Sequence, residues 1–174
     1  MKNFDLTELS VLVVEKQPPM RSMLRGILRE LGIKKITDAD TPESGFDAFI
    51  HGSPDLVLID WGPDFDGIGL LNKIRTDSGN DNPFVPVIMV TAHSEIDRVI
   101  EARDDGMTEY LTKPISGKSL YQRISSIVDS ERSFIRVADF FGPDRRRRNI
   151  EIKGEDRRGG ATGSNNEAGE MKSG

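Results

Sequence analysis

Four residues scattered along the chain have side chains that together suit phosphoryl chemistry. Glu15, Asp60, Thr91 and Lys113 each lie at, or just after, the end of a short apolar run. A carboxylate can accept a phosphoryl group as an acyl phosphate, and that product needs cations and hydrogen-bond donors around its added charge. A carboxylate, a hydroxyl and an ammonium at one place therefore predict a phosphoryl-accepting site, provided that the fold brings them together.

The apolar runs that carry these residues predict the strands of a parallel sheet. The runs are VLVVE at 11–15, LVLID at 56–60, VIMVTA at 87–92 and YLTKP at 110–114. Apolar runs that are separated by helical stretches are typical of an α/β sheet buried on both faces. Reactive groups in such sheets gather at the carboxyl ends of the strands, so we expect the four residues at one edge.

The segments between the runs carry apolar residues at the spacing of amphipathic helices. Predicted helices begin at Pro18, Pro42, Gly67 and Ser94, and a last one carries Leu120, Ile124, Ile127 and Val128. A short strand at 33–37 completes the pattern of five strand–helix units. The sequence therefore predicts a doubly wound five-stranded parallel sheet with helices on both faces.

The composition excludes several classes of protein. The net charge of −5 argues against nucleic-acid binding by overall charge, and the absence of cysteine excludes disulfides, thiolate metal sites and a cysteine nucleophile. No apolar run approaches the roughly 18–20 residues of a membrane span, and the first ten residues lack a signal-peptide core. We therefore expect a cytoplasmic protein without a membrane segment.

Charge divides the chain into two parts. Residues 1–130 have a net charge of −7, whereas residues 131–174 have a net charge of +2. From Gly154 onward there is almost nothing apolar to bury, which predicts disorder. The sequence thus predicts a folded domain over 1–133 and an arginine-rich, largely disordered basic extension over 134–174.

Three motifs in order, LVLIDW followed by DG, then VIMVTA, then YLTKPI, each precede a helix and resemble the receiver domain of bacterial response regulators. The resemblance to these CheY-like domains spans roughly residues 9–130 and implies a flavodoxin-like fold. It implies a stand-alone two-component signalling protein and not an enzyme. Asp60 would accept a phosphoryl group from a histidine kinase or a histidine phosphotransfer protein. Thr91 would hydrogen-bond a phosphate oxygen, and Lys113 would pair with the phosphoryl group.

The resemblance also implies how such a protein signals. Tyr110 stands where receivers often carry an aromatic switch residue, although a half-buried edge aromatic is an equally good interpretation. The usual docking face of the family comprises the predicted helix at 94–106, the strand that ends near Lys113 and the last helix. A flagellar motor protein is one candidate partner. The chain has no room for a DNA-binding output domain.

The resemblance implies Mg²⁺ held by Glu15, Asp60 and the backbone carbonyl of Gly62, but two departures disturb that site. Lys16 stands where receivers normally carry a second acidic residue, and an ammonium cannot coordinate a cation. The loop after Asp60 is also one residue shorter than usual. Either Glu15 and Asp60 hold Mg²⁺ weakly with Lys16 turned to solvent, or Lys16 itself pairs with Asp60. The residues favour impaired metal binding.

The extension contains a second candidate site. GPDRR at 142–146 recurs as GEDRR at 154–158, and four consecutive arginines follow Phe140 and Phe141. Guanidinium groups pair with phosphates and stack on purines, and the segment resembles the extension of CheY-like cyclic di-GMP effectors of alphaproteobacteria. The candidate nucleotide-binding residues are Arg145, Arg146, Arg147, Arg148, Arg157 and Arg158. A solvated tail or a partner-docking tail is the alternative. A second hypothesis is therefore a degenerate receiver whose input is cyclic di-GMP.

Overall fold

The protein folds as a five-stranded parallel sheet flanked by helices. The computed structural model describes residues 4–92, 103, 105–129, 134–137 and 140–143. Its parallel strands are β1 Ser10–Val14, β2 Lys35–Ala39, β3 Leu56–Trp61, β4 Val87–Thr91 and β5 Glu109–Thr112. Its helices are α1 Pro18–Glu30, α2 Pro42–Gly52, α3 Gly67–Thr76 and α4 Gly117–Asp129. The strand order β2-β1-β3-β4-β5 confirms the predicted flavodoxin-like sheet.

Local sequence explains where the helices begin. Pro18 and Pro19 occupy the first turn of α1, where a missing backbone N–H costs nothing. Thr41 caps α2, and its hydroxyl and that of Ser44 each accept a hydrogen bond from the other residue's backbone N–H. Ser116 and Ser119 form the same reciprocal pair at the start of α4.

The second strand begins two residues later than predicted. Gly32 adopts a left-handed conformation with φ of +91°, and the N–H of Ile33 reaches back to the carbonyl of Leu28. This is the Schellman arrangement that ends helices, and it uses the backbone of Ile33 before strand pairing can start. Ile33 is fully buried, but it belongs to the turn that ends α1 and not to the strand.

The core lies in two layers, one on each face of the sheet. Alternate strand residues such as Val14, Ile59 and Met89 pack with α2 and α3. Their neighbours, such as Val13 and Leu58, pack with α1 and α4. A sheet that is covered on both faces holds its strand ends rigidly, which is what a site at that edge requires.

Three apolar residues on the helices are exposed, although apolar residues at helical spacing are expected to face the core. Met23, Ile50 and Val128 are 38%, 38% and 45% exposed. In α1 and α4 only Leu24, Leu28, Leu120 and Ile124 are buried, so these two helices bury a narrower stripe than their apolar spacing suggests.

Beyond α4, the backbone forms an antiparallel hairpin that the sequence patterns did not predict. Phe134–Val137 (β6) pairs with Phe140–Pro143 (β7), with Val137 opposite Phe140. The predicted helix at 94–106 lies almost entirely outside the described residues, as does all of the extension after Pro143. Across the part of the chain that the structure covers, every helix is too short or too polar to cross a membrane.

Candidate phosphoryl-accepting site

The four chemically suited residues meet at the carboxyl edge of the sheet. Glu15 directly follows β1, Asp60 is the second-last residue of β3, Thr91 ends β4 and Lys113 directly follows β5. Asp60 lies opposite Val90, and Thr91 lies opposite Thr112 in the parallel register. The backbone N–H of Lys113 donates to the carbonyl of Thr91 at 2.8 Å, which continues the pairing into the site.

Lys113 joins the two carboxylates. Its Nζ lies 2.8 Å from Asp60 Oδ1 and 3.1 Å from Glu15 Oε2. Only 1% of the Glu15 side chain is exposed, against 11% of Asp60 and 18% of Lys113. The site is therefore a nearly buried carboxylate and a more accessible one that share a single ammonium.

The surroundings keep Lys113 charged. Partial burial lowers its pKa, but the hydrogen bonds and charges of Asp60 and Glu15 outweigh burial and raise the pKa above the ordinary value of 10.5. The ammonium is thus present at neutral pH, where it can offset the negative charge that a phosphoryl group would add.

Arg21 fixes the loop that carries Glu15, a role that the sequence analysis did not assign. Its guanidinium donates to the carbonyl of Glu15 at 2.7 Å and to that of Lys16 at 3.0 Å, and it pairs with Asp38 at 3.4 Å. The N–H of Gln17 donates to Glu15 Oε1 at 2.9 Å. The sequence did contain a signal for this contact, because Arg21 lies in the first turn of α1, six residues after Glu15.

Gly67 allows α3 to start directly beside the phosphoacceptor candidate. A Cβ at this position would lie 2.2 Å from the backbone oxygen of Asp60, which no side chain tolerates. Asp66 caps the same helix by accepting a hydrogen bond from the N–H of Gly69 at 2.8 Å. The Asp-Gly pair that contributed to the resemblance thus has a steric explanation.

A cavity of about 430 Å³ opens onto Asp60 and Lys113. Its other lining residues are Lys16, Gln17, Pro18, Trp61, Gly62, Pro63, Asp64, Phe65 and Ala92. Lys16 is exposed, and within the described residues its side chain forms no ion pair. The partner of Asp60 is Lys113, so the structure does not show Lys16 seated on Asp60.

The groups proposed to hold Mg²⁺ do not form a ready ligand set. Lys113 and the N–H of Gln17 occupy both oxygens of Glu15, and Lys113 also occupies Asp60 Oδ1. The carbonyl of Gly62 accepts a hydrogen bond from the N–H of Phe65 at 3.2 Å. Among the described side chains, no group of three acids or histidines can surround a metal ion. Mg²⁺ requires near-octahedral oxygen ligands, so this arrangement fits it poorly.

Tyr110 lies half-buried at the edge of the sheet. It packs against the core layer that α2 and α3 cover, and Arg123 of α4 lies over its ring, 5.4 Å from the centroid. Arg123 also approaches Glu109 at 3.5 Å, and Ser126 donates to the same carboxylate at 3.1 Å. This position is compatible with a switch residue and with an ordinary edge aromatic.

Comparison with known proteins identifies the fold and its family. Residues 11–125, most of the chain, match the response regulator receiver domain. The chain belongs to this family. It is therefore a CheY-like receiver of two-component signalling, as the sequence predicted, and a signalling protein rather than a typical enzyme.

The receiver is similar to chemotaxis proteins over nearly their whole length. It is 31% identical over 122 residues to chemotaxis protein CheY of Pseudomonas aeruginosa, covering 70% of this chain and 97% of that protein. It is 30% identical over 122 residues to CheY-3 of Vibrio cholerae, covering 70% and 92%. A putative response regulator from Chloroflexus aurantiacus superposes with a TM-score of 0.62 at 25% identity, covering 70% of this chain and 98% of the other.

The candidate nucleotide site lies outside the structure. All six arginines proposed for it fall among residues that the structure does not describe. Cyclic di-GMP binding therefore stays a prediction from sequence, and none of the relatives above is named for it.

Proposed function

We propose that this receiver is a cytoplasmic response regulator that accepts a phosphoryl group on Asp60 and signals by docking on another protein. The donor would be a histidine kinase or a histidine phosphotransfer protein. The observation that carries the proposal is the ion bridge, in which Lys113 holds Asp60 at 2.8 Å at the floor of an open cavity. The family and the strand-edge position support the same assignment.

The proposed chemistry is phosphoryl transfer from nitrogen to oxygen. Asp60 Oδ1 accepts the hydrogen bond of Lys113, whereas Oδ2 has no partner among the described residues and is the oxygen free to attack. A bond forms between this oxygen and phosphorus while the phosphorus–nitrogen bond of the donor breaks. The electron pair of that bond leaves with the imidazole nitrogen, so the product is an acyl phosphate on Asp60.

Lys113 and Thr91 would stabilise the product. The dianionic phosphoryl group adds negative charge beside Asp60, and the ammonium of Lys113 is already positioned to offset it. Thr91 ends the adjacent strand and supplies a hydroxyl at the same edge, which we assign to a phosphate oxygen. The nearly buried Glu15 would keep Lys113 in place before the phosphoryl group arrives.

Docking is proposed to use the face that contains Tyr110, β5 and α4. Tyr110 connects the core to this face, and Arg123 and Glu109 form its polar part. Because the relatives are named chemotaxis proteins, a flagellar motor component is one candidate target. Phosphorylation would act by changing the population of conformations in which Tyr110 turns inward.

The test is incorporation of phosphate from a small phosphodonor such as phosphoramidate, measured by intact mass. We expect wild type and Asp64→Asn to be labelled and Asp60→Asn to remain unlabelled. Asp64 is the matched control, because it lines the same cavity but is exposed and outside the Lys113 bridge. Undiminished label in Asp60→Asn would contradict the assignment.

A further inference from the structure

Lys16 lies where this pocket meets solvent, and its backbone is held there. Arg21 donates to its carbonyl at 3.0 Å, and the neighbouring Glu15 is anchored through its own carbonyl and both carboxylate oxygens. The side chain lines the cavity above Asp60 and is exposed. A four-carbon stem with free rotation can carry its ammonium from solvent to an anion in the cavity.

The pocket is already close to neutral. Lys113 contacts the carboxylates of Glu15 and Asp60, and Lys16 and Asp64 line the same cavity. These three acids and two ammonium groups together carry a net charge of −1, and the described acids do not form a group that could surround a metal ion. A divalent cation would leave an excess of positive charge in a partly buried site, where screening by water is weak.

The oxygen atoms that a metal would need are also engaged. Three of the four carboxylate oxygens of Glu15 and Asp60 accept hydrogen bonds, and the Gly62 carbonyl accepts one from Phe65. Binding Mg²⁺ would require Lys113 to leave both carboxylates and the hydrogen bond between Phe65 and the Gly62 carbonyl to break. Mg²⁺ gives up its bound water reluctantly. A site that must rearrange and that has an ammonium beside it is therefore expected to bind Mg²⁺ weakly.

We propose that Lys16 takes the place of the divalent cation: the pocket holds the phosphoryl group between the ammonium groups of Lys16 and Lys113 and works without Mg²⁺. This inference rests on the proposed phosphorylation of Asp60, and it adds which positive charges hold the phosphoryl group. It gives Lys16 a role in binding the anion, which an ordinary solvated lysine would not have.

The first test is a Mg²⁺ titration of metal-free protein, followed by calorimetry and by the fluorescence of Trp61, the single tryptophan, which lines the cavity. We expect Lys16→Asp to bind Mg²⁺ more tightly than wild type by about tenfold or more, because an acid replaces a cation at the site. Lys34→Asp is the matched control, since Lys34 is exposed near the opposite edge of the sheet, and should leave affinity unchanged. Equal Mg²⁺ affinity in wild type and Lys16→Asp would overturn the proposal.

The second test compares phosphoramidate labelling with and without Mg²⁺. Wild type should be labelled in metal-free buffer at a rate that Mg²⁺ changes by less than about twofold, whereas Lys16→Asp should depend on Mg²⁺. Lys16→Gln should lose metal-free labelling by about tenfold or more, because it removes the ammonium without adding a ligand. A wild-type protein that is labelled only with Mg²⁺ would overturn the proposal.

The two tests distinguish a failure of the proposed phosphorylation from a failure of the proposed role of Lys16. If no variant is labelled on Asp60 under any condition, the proposed phosphorylation fails, and the Mg²⁺ titration still decides whether Lys16 excludes the metal. If Asp60 is labelled but wild type binds Mg²⁺ as tightly as Lys16→Asp, the phosphorylation stands and the role of Lys16 does not.

Discussion

At the scale of single residues, the site depends on one lysine that compensates two acids. Glu15 is almost fully buried, and a buried carboxylate is costly unless it is paired and hydrogen-bonded. Lys113 supplies that pair and at the same time holds Asp60, the proposed phosphoacceptor. Stability and chemistry therefore share the same ammonium, and its removal should affect both.

Replacing Lys113 by Met should lower the free energy of unfolding by about 3 kcal/mol or more, because it leaves Glu15 buried without its cation. The loss should be smaller in a Glu15→Gln background, where the buried acid is neutral and only the more accessible Asp60 is left without its cation. Denaturant unfolding of the single and double variants gives both numbers. Lys34→Met, at an exposed position, is the control and should stay within about 0.5 kcal/mol of wild type. A loss equal in both backgrounds would contradict the ion-bridge account.

The same lysine predicts a pH dependence at the alkaline end. Since the pKa of Lys113 is raised in the folded state, its stabilisation is complete below the ordinary value of 10.5 and is lost as the pH rises through the higher folded value. The difference in unfolding free energy between wild type and Lys113→Met should be constant near neutral pH and shrink above about pH 10.5. A difference that begins to shrink well below that pH would contradict the raised pKa.

The sequence predicted which candidate residues would lie together at the sheet edge but missed a buried arginine. Asp60, Thr91 and Lys113 follow apolar runs, so the topology that puts strand ends together also puts them together. Arg75 looks like a solvated helix residue, yet it is 2% exposed and donates to the carbonyls of Pro83 and Gly106. Those carbonyls lie in loops 8 and 31 residues along the chain, and helical periodicity does not predict such partners.

At the scale of elements, α3 begins at Gly67, directly beside the backbone of Asp60, the proposed phosphoacceptor. The periodicity predicted that α3 begins at Gly67, as it does, because proline and glycine lie in the loop before it and its apolar residues repeat at helical spacing. The two-residue error at β2 arose because Ile33 belongs to a helix-ending turn, which depends on backbone conformation at Gly32 and not on hydrophobicity.

The close approach at Gly67 gives a test with an internal control. Gly67→Ala should lower the free energy of unfolding by about 1–3 kcal/mol and slow phosphoryl labelling, because the new methyl group would meet the Asp60 carbonyl. Gly26→Ala, in the middle of α1 with open space around it, should instead raise stability by roughly 0.5–1 kcal/mol. Thermal unfolding of both variants checks the pair, and a neutral Gly67→Ala would show that α3 can move away freely.

At the scale of the whole molecule, the receiver and its extension differ in what sequence could establish. Continuous apolar runs that are separated by helical segments predict a sheet covered on both faces, so the fold was predictable. From Gly154 onward the extension has almost no apolar residues to define a structure. The strand pairing of β6 and β7 was not predicted, because no turn motif in the sequence indicated it.

Any cyclic di-GMP affinity should reside in the extension, because its arginines can pair with phosphates and stack on guanines. Calorimetry should then show binding by the full chain that weakens steeply with salt, and none by a protein truncated after Ser133. Equal affinity in the two proteins would place the ligand on the receiver, and no binding by either would leave the extension as a solvated or docking segment.

The central claim, that Asp60 is the phosphoacceptor, is tested most directly by locating the phosphoryl group chemically. Borohydride reduces an aspartyl phosphate to homoserine, so labelled protein that is reduced and then mapped by peptide mass spectrometry records the modified residue. The account predicts homoserine at position 60 in wild type and at no position in Asp60→Asn. Homoserine at Asp64, Asp66 or any other aspartate, with Asp60 intact, would contradict it.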